Sequence, residues 1–408
     1  MRIVCVGGGP AGLYFSILMK LRNPHHDITV LERDARGATY GWGVTYWAGL
    51  LDHLDRNDAR TADAIRAHSV RWDEGVAHLR GTTTRQQSEE AFGIGRRQLL
   101  EVLAERATGL GVRIEFEHGV ESLRQLPEAD LVVVGDGVNS RVRQLYAQHF
   151  EPTVTEGRNR YLWLGTDKVF DSFTFSFVDT PHGWIWFYGY RFSGGLSTCV
   201  VECPPETWTG LGLDKLGREA GTALLERLFA EQLDGHRLIT QAQGADLPWL
   251  TFRTLTNRTW HHENVVLIGD AAHTTHYSIG AGTTLALEDA IGLADALQGH
   301  GELHPALTAY ERERRSAILS TQSAARYSAR WYENIDRYAQ LPAEQLFALL
   351  GQRHSPLQPY VPPQLYYWVN RAVEDSTALR RCRGWVGHRV ARVLHARHRP
   401  EPAQEAAR

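Results

Sequence analysis

The start of the chain constrains its fold more than any other stretch, because a short apolar strand runs directly into a glycine-rich turn and a helix. The strand is RIVCV, the turn is GGGPAG at residues 7–12, and LYFSILMKL continues with helical spacing. A second apolar segment, DITVLER, follows and carries an acid, Glu32, at its end. This succession predicts a βαβ unit with two parallel strands in one buried sheet.

The same turn predicts a ligand. Its glycines fit the pattern G-x-G-x-x-G, in which the backbone can approach a pyrophosphate and the helix start favours negative charge. Glu32 follows Gly12 at the spacing of about 20 residues from which an acid can accept a hydrogen bond from a ribose hydroxyl. The alternative is a glycine-rich turn without a ligand. We predict a dinucleotide site formed by Gly7, Gly9, Ala11, Gly12, Glu32 and Arg33.

A second candidate cofactor segment is GDAAHTTHYSIGAGTTLALEDA, residues 269–290. Asp270 ends the buried strand NVVLIGD, and a carboxylate in such a place needs hydrogen-bond donors, which the hydroxyls of a ribityl chain offer. Gly280, Ala281 and Gly282 then open a helix, whose N–H groups and dipole favour negative charge such as that of a reduced flavin. Taken alone, the segment is better explained as a strand, a turn and a capped helix that bind nothing.

Two further segments also have ordinary explanations when each is taken alone. Arg96, in GIGRRQLLEVL, fits a solvated arginine at a helix start, and Asp136, in VVVGDGVNSRVR, fits an Asp-Gly turn at a strand end. The order of the four segments along the chain is what indicates a flavin site. We therefore add Arg96 and Asp136 to the predicted cofactor residues.

Composition argues against several classes of function. The net charge of -3 gives no reason to expect a nucleic acid or an anionic membrane as the main partner. The four cysteines form no C-x-x-C pair and no zinc spacing with the histidines, so we expect buried free thiols and no metal. We see no signal-peptide pattern and no apolar run long enough to span a bilayer, and we expect a cytoplasmic protein.

The sequence pattern changes near residue 158, where alternating Trp, Phe, Tyr, Val and Thr replace the strand–helix pattern. This predicts an antiparallel sheet inserted into the dinucleotide unit, whose last strand returns after it. We therefore expect an α/β fold with a discontinuous Rossmann-type FAD-binding domain at 1–157 and 258–300. An aromatic-rich β-sheet substrate domain would span 158–257, followed by a helical C-terminal region at 301–400 and a tail at 401–408.

The four segments in this order resemble the single-component FAD-dependent aromatic hydroxylases related to p-hydroxybenzoate hydroxylase, over roughly residues 1–340. The resemblance implies noncovalent FAD, NAD(P)H as the reductant, O2 as the oxidant and an aromatic substrate. It also implies that the segment around Asp136 serves both FAD and NAD(P)H. The oligomeric state stays open.

A closer similarity is to the subgroup that contains salicylyl-CoA 5-hydroxylase, the monooxygenase half of the anthraniloyl-CoA enzymes and, in part, the violacein-pathway hydroxylases. It rests on GWGVTYW, GRNRYLWLGTDKVFDSFTFSF, STCVVECPPETW, HYSIGAGTTLALEDA and ARWYENIDRY. The similarity implies an aryl-CoA thioester as the substrate, with salicylyl-CoA, converted to gentisyl-CoA, as the example. The sequence ends at residue 408, so we expect it to lack the second flavoprotein domain of the bifunctional members. It also carries Tyr188 where a histidine is expected.

The resemblance also implies where the ring would bind. We expect one wall of its pocket to come from the aromatic sheet, through Trp184, Trp186 and Tyr188, and the other from the loop that carries His276 and Tyr277. His276 is the first candidate to accept a phenolic proton, because its imidazole is neutral near pH 7, although it fits a packing role equally well. The tryptophans fit sheet packing unless they face the flavin. We predict His276, Tyr277 and Tyr188 as catalytic residues, and Trp186 with these three as substrate contacts.

Other functions stay open. They are hydroxylation of an indolic or other natural-product intermediate, flavin reduction without hydroxylation, and FAD binding by a non-enzymatic regulator. GWIWFYG lacks the Ile-Pro that a halogenase needs after its tryptophan. The C-terminal arginines are one candidate for holding CoA phosphates, although a solvated helix explains them better. They are Arg380, Arg381, Arg383, Arg389 and Arg392, with Trp385 to stack on adenine.

Overall fold

The computed structural model describes residues 1–38, 41–242, 245–246 and 248–375. The C-terminal arginines and Trp385 lie outside these residues. The strands are β1 (Arg2–Val6), β2 (Asp27–Leu31), β3 (Gly43–Trp47), β4 (Val70–Leu79), β5 (Thr82–Gly95), β6 (Arg113–Glu115), β7 (Leu131–Val134), β8 (Pro152–Thr166), β9 (Phe173–Thr180), β10 (Gly183–Arg191), β11 (Ser197–Cys203), β12 (Leu238–Ile239), β13 (Gln241–Ala242), β14 (Ala245–Asp246), β15 (Leu250–Asn257), β16 (His261–His262) and β17 (Val265–Leu267).

The helices are α1 (Pro10–Arg22), α2 (Ala48–Ala67), α3 (Arg96–Gly109), α4 (Arg141–Leu145), α5 (Ala147–Phe150), α6 (Pro205–Gly210), α7 (Arg218–Leu228), α8 (Ala230–Leu233), α9 (Gly282–Gly299), α10 (Leu303–Glu333), α11 (Asp336–Ala339), α12 (Ala343–Gly351) and α13 (Pro363–Asp375). None of the helices that the structure describes is long and apolar enough to cross a membrane.

The dinucleotide unit is built on a six-stranded sheet in the order β16-β17-β7-β1-β2-β6. Its neighbouring strands are parallel except for the pair β16 and β17. Residues of α1, α3 and α9 share one apolar core with these strands. Because β17 follows the second sheet in the chain and pairs with β7, the unit is discontinuous, and the predicted fold class is confirmed.

The second sheet has the order β12-β8-β11-β10-β9-β4-β5-β3, and β15 also pairs with β8. It extends beyond the predicted range of 158–257, because β8 begins at Pro152 and β3, β4 and β5 come from the N-terminal segment. The alternating aromatic pattern does not mark β5, which reads TTTRQQSEEAFGIG and is largely exposed. The membership of these three strands is decided by the pairing of β4 with β9 in parallel register.

The two faces of the second sheet pack against different helices. Alternate residues of β10, including Trp186 and Tyr188, face an aromatic core shared with α10, α11 and α12. The residues between them, including Phe187, face a second core shared with α7 and α8. Cys199 and Cys203 lie in that second core as buried free thiols. The helical region from α10 to α13 therefore covers the face that carries the predicted substrate residues.

Candidate flavin and substrate site

The predicted acid Asp270 lies where three elements converge. Gly269, at the end of β17, has a φ of +58°, and a Cβ there would stand 3.2 Å from the Cβ of Ala11 and 3.5 Å from that of Ala286. The starts of α1 and α9 therefore close on the end of β17, and only small residues fit between them. This is the physical reason for the small residues that flank Asp270.

The carboxylate of Asp270 is free to meet a ligand. It keeps an exposed face, and among the described residues it accepts no hydrogen bond from the protein. Protein atoms crowd its other sides, and the lost solvation raises its pKa in spite of the opposing effect of His273 and Arg96. A carboxylate that is open to solvent on one side and surrounded by protein atoms on the others still loses part of its solvation. Such a carboxylate suits the hydroxyls of a ribityl chain.

The turn before Asp270 is held by Asp289, which sequence reasoning missed. Asp289 is fully buried in α9 and accepts hydrogen bonds from the backbone N–H of Gly269 at 2.9 Å, from His273 Nε2 at 2.9 Å and from Arg314 Nε at 2.8 Å. Burial raises the pKa of this carboxyl, but His273 and Arg314 bring it below its usual value. The acid in the motif ALEDA was the available signal.

Asp136 provides a second polar atom without a protein partner. Its Oδ2 accepts the backbone N–H of Arg141 at 2.8 Å, while its Oδ1 is buried and has no hydrogen-bond partner in the part of the chain that the structure describes. Burial raises the pKa of this carboxyl. Buried polar atoms are nearly always paired, so Oδ1 is where a hydroxyl or amide of a ligand would bind.

The glycines predicted for the cofactor divide into two kinds. Gly7 and Gly12 are needed for the turn itself, because a Cβ would lie 2.5 Å from Gly135 O and 2.3 Å from Gly7 O respectively. Gly9 and Gly282 instead leave room, with only Gly135 O at 3.9 Å near the first and nothing within 4 Å of the second. They stand at the starts of α1 and α9, where no side chain caps the helix. Both helix starts are therefore open to an anionic group.

Gly280 and Ala281 form the turn into α9. Gly280 has a φ of +63°, and a Cβ there would meet Thr45 Oγ1 at 2.5 Å. Ala281 is the N-terminal cap residue of α9. The sequence-predicted turn is therefore present, and glycine is required in it.

A pocket lies at the other end of the glycine loop, between the ends of β1 and β2 and the start of α3. Glu32 and Arg96 both line it. Arg96 is close enough to Asp270 and Glu32 for both carboxylates to raise its pKa, although burial lowers it overall. Glu32 accepts the backbone N–H of Gly8 at 2.6 Å and of Asp34 at 2.8 Å, so it also holds the loop.

Arg33 has an exposed side chain that pairs with Asp34 at 3.1 Å. Arg36 and Arg97 line the pocket beside Glu32, and the role of Arg33 in cofactor binding stays a prediction. The sequence offered no way to choose among these arginines, because their direction depends on the path of the loop after β2.

His276 is held by a chain of hydrogen bonds that reaches the C-terminal helices. Its Nδ1 lies 2.8 Å from Ser278 Oγ and accepts the backbone N–H of Ser278 at 3.3 Å. Ser278 Oγ lies 2.7 Å from Ser328 Oγ, which accepts from Arg353 Nε at 3.0 Å. Arg353 also donates to the backbone oxygen of Ser278 at 2.7 Å.

This network assigns the tautomer of His276. Burial, with Arg353 nearby, lowers its pKa to about 3, so the ring is neutral. A backbone N–H can only donate, so Nδ1 carries the lone pair and the proton sits on Nε2. His276 therefore offers a donor at Nε2, whereas the predicted acceptance of a phenolic proton requires the opposite tautomer.

Tyr277 joins this loop to the aromatic sheet. Its ring lies 4.6 Å from that of Tyr161 and 6.3 Å from that of Tyr188, between ring centroids. Its hydroxyl donates to Glu202 Oε2 at 2.7 Å. The structure thus brings the predicted residues His276, Tyr277 and Tyr188 together, and it adds Glu202, which sequence reasoning missed.

The remaining predicted substrate residues differ in exposure. Trp186 is fully buried and stacks on Tyr332 of α10, with 5.6 Å between ring centroids. Tyr188 is 6% exposed and stacks on Phe173. Trp186 therefore lies in the core beneath the site, and its contact with a substrate stays a prediction. The described residues hold no group of His, Cys, Asp or Glu that could bind a metal ion.

These features fit a flavin site at the ends of β1, β7 and β17 in a flavoprotein fold. The family model described as FAD binding domain matches residues 1–323. The chain belongs to this family, and FAD is its cofactor.

Two relatives with known names are similar to the chain. Salicyloyl-CoA 5-hydroxylase from Streptomyces sp is 37% identical over 347 residues, which cover 83% of this chain and 66% of that protein. The chain thus spans just under two thirds of that relative's length. The 3-hydroxy-4-methyl-anthranilyl-[aryl-carrier protein] 5-monooxygenase of Streptosporangium sibiricum is 36% identical over 382 residues, which cover 93% of this chain and 99% of that protein.

Among solved structures, 2-methyl-3-hydroxypyridine-5-carboxylic acid oxygenase has a TM-score of 0.67 at 19% identity, covering 82% of this chain and 91% of that one. At this identity the likeness concerns the fold. Together the comparisons show that the chain belongs to the family of FAD-dependent aromatic monooxygenases and has the p-hydroxybenzoate hydroxylase fold.

Proposed function

We propose that the protein hydroxylates an aromatic ring presented as a thioester, with NAD(P)H as the reductant. The observation that carries the proposal is the loop at residues 276–278. It follows the cofactor acid Asp270 by a few residues and places Tyr277 against the aromatic face of the second sheet, beside Tyr161 and Tyr188. A ring bound at this junction would lie between the flavin and the sheet.

The overall reaction balances as ring C–H, NAD(P)H, a proton and O2 giving ring C–OH, NAD(P)+ and water. When bound, FAD supplies the acceptance of hydride and the activation of oxygen. Asp270 and Asp136 would hold hydroxyls of the cofactor, and the starts of α1 and α9 would hold its anionic parts. The protein's own residues bind the ring, orient it and exclude water.

The chain offers distinct groups for the ring's substituents. His276 offers an N–H donor at Nε2, which suits a carbonyl oxygen or a phenolate. The aromatic side chains beside Tyr277 provide an apolar wall. Arg353 acts through Ser278 and Ser328 to keep the His276 ring in one orientation.

The thioester part of the proposal rests on the similarity to salicyloyl-CoA 5-hydroxylase. Binding energy from a remote CoA group can position the ring, so the thioester should be turned over far better than the free acid. The test compares kcat/KM for salicyloyl-CoA and salicylate with NADH and NADPH, and identifies the product by its mass. Equal or better kcat/KM with the free acid or with an indolic substrate would reject the thioester.

A carrier-bound aryl thioester is the second candidate. It is favoured by the match along 99% of the relative that acts on an aryl-carrier-protein substrate. The two forms share the thioester and the pantetheine arm. Kinetics with the same acyl group on CoA and on a phosphopantetheinylated carrier protein separates them, because a carrier-specific enzyme shows a much lower KM for the carrier form.

A further inference from the structure

Glu202 is a buried acid that the proposed reaction does not use. It lies in β11, in the otherwise apolar or small-residue run STCVVEC, and is 1% exposed. Its Oε1 accepts from Asn159 Nδ2 at 2.7 Å, and its Oε2 accepts from the Tyr277 hydroxyl at 2.7 Å. Burying an acid in an aromatic core is costly, so its tie to a residue of the ring site points to a role there.

The hydrogen bond fixes the direction of the Tyr277 hydroxyl. An ionised carboxylate only accepts hydrogen bonds, and a tyrosine hydroxyl has one proton to donate. Burial and the neighbouring Glu202 raise the pKa of Tyr277 well above its usual value, so it keeps that proton. Because the Tyr277 hydroxyl donates its one hydrogen bond to Glu202, its oxygen can offer a ligand only lone pairs.

We propose that Glu202 is a positioning residue that makes Tyr277 a hydrogen-bond acceptor, and that the site thereby selects rings bearing a hydrogen-bond donor such as a hydroxyl or amino group. The inference rests on the proposed function, because it takes the ring to bind beside Tyr277. His276, whose ring centroid is 4.2 Å from that of Tyr277, offers the complementary donor. The pair would bind a ring that carries one donor and one acceptor.

Two thioesters that differ only in the ring substituent next to the thioester test the selection. In 2-aminobenzoyl-CoA the substituent next to the thioester is a donor, and in 2-methoxybenzoyl-CoA it is only an acceptor. Dissociation constants are measured by calorimetry at a pH above 7, where Glu202 is ionised, on the FAD-loaded protein without reductant, so turnover plays no part. The variant Tyr277→Phe gives the baseline ratio of the two dissociation constants, since it removes the hydroxyl and keeps the ring. Its ratio therefore contains the effect of the size of the methoxy group without the hydrogen bond.

In the wild-type protein the ratio of the two dissociation constants should favour the amino ligand by roughly tenfold or more relative to the ratio in Tyr277→Phe. The reason is that the amino group forms a hydrogen bond with the Tyr277 oxygen, whereas the methoxy group leaves that oxygen unpaired. Glu202→Gln should bring the ratio down to the Tyr277→Phe value or below it, because a carboxamide can donate to the tyrosine oxygen. A wild-type ratio equal to that of Tyr277→Phe, or a Glu202→Gln ratio equal to the wild-type one, overturns the inference.

A pH series on the wild-type protein tests the inference without any variant, so the result does not depend on whether a variant folds. Burial raises the pKa of Glu202 to about 7. Above that pH the carboxylate is ionised and holds the Tyr277 proton, and below it the acid can itself donate. Selection for the amino ligand should therefore fall as the pH falls through about 7, and a constant ratio contradicts the inference. Both ligands carry the same CoA, so its titration cancels in the ratio.

The other titratable groups around Glu202 do not change the expected pH dependence. The titratable or charged side chains whose charges act on it or are acted on by it are Tyr161, Tyr188, Cys203, Tyr277, Tyr332 and Glu333. The tyrosines and the cysteine stay neutral near pH 7, because burial raises the pKa of each. Glu333 raises the pKa of Glu202. Glu333→Gln should therefore move the midpoint of the transition to lower pH.

The proposed function and this inference fail in different ways. If neither thioester binds to the wild-type protein, a CoA thioester is rejected as the ligand and the inference is overturned with it. Binding and turnover of the thioesters without selection between donor and acceptor overturns the inference alone. Flavin content and circular dichroism of each variant show whether it has folded.

Discussion

Replacing Asp270 by alanine should weaken FAD binding and leave the fold intact. The carboxylate accepts no hydrogen bond from the described residues, so its removal deprives no protein donor of a partner. It also removes a charge whose burial is unfavourable, as the raised pKa shows. The lost interaction is a charge-assisted hydrogen bond to a hydroxyl of the cofactor, worth about 1.5–3 kcal/mol, which corresponds to a roughly 10- to 150-fold higher Kd for FAD.

The assay is titration of the apoprotein with FAD, followed by quenching of flavin fluorescence, together with thermal unfolding of the apoprotein. Asp270→Asn keeps an acceptor without the charge and should fall between the wild type and Asp270→Ala. Asp214, an exposed acid after α6, provides the control variant Asp214→Ala. An unchanged Kd for FAD in Asp270→Ala refutes the assignment, and a large loss of apoprotein stability refutes the claim that Asp270 has no structural partner.

Three further outcomes are expected. Acid precipitation should release the flavin into the supernatant, since we expect FAD to bind noncovalently; flavin retained in the pellet would contradict this. His276→Ala should raise the hydrogen peroxide formed per NAD(P)H oxidised, because a donor that orients the ring is lost; unchanged coupling would limit His276 to packing. Asp289→Asn should destabilise the protein by about 3–5 kcal/mol, the cost of breaking a buried ion pair, because Arg314 and His273 lose their anionic partner. Thermal unfolding measures the change, and Glu128→Gln, which affects only the exposed pair with Arg2, should behave like the wild type.

The turns of the candidate cofactor site were predictable because they are local in sequence. A strand, a glycine turn and a helix start form from adjacent residues, so the turns at Gly7, Gly12 and Gly280 could be predicted from the sequence, and the structure contains them. The position of Asp270 after a buried strand was predictable for the same reason, while its contact with FAD stays a prediction. Which of the arginines near β2 faces the pocket could not be predicted, since only the path of the loop decides it.

The ring site depended on contacts between residues far apart in the chain. Glu202 and Tyr277 meet because β11 pairs between β8 and β10, and because the loop after β17 returns to the same face of that sheet. The sequence by itself determined the βαβ unit, the glycine turns and the acids at the strand ends, since neighbouring residues specify them. Only the tertiary structure decided which strands join the second sheet, which tautomer His276 adopts and which hydroxyl the buried acid holds, because register and long-range packing set each of these contacts.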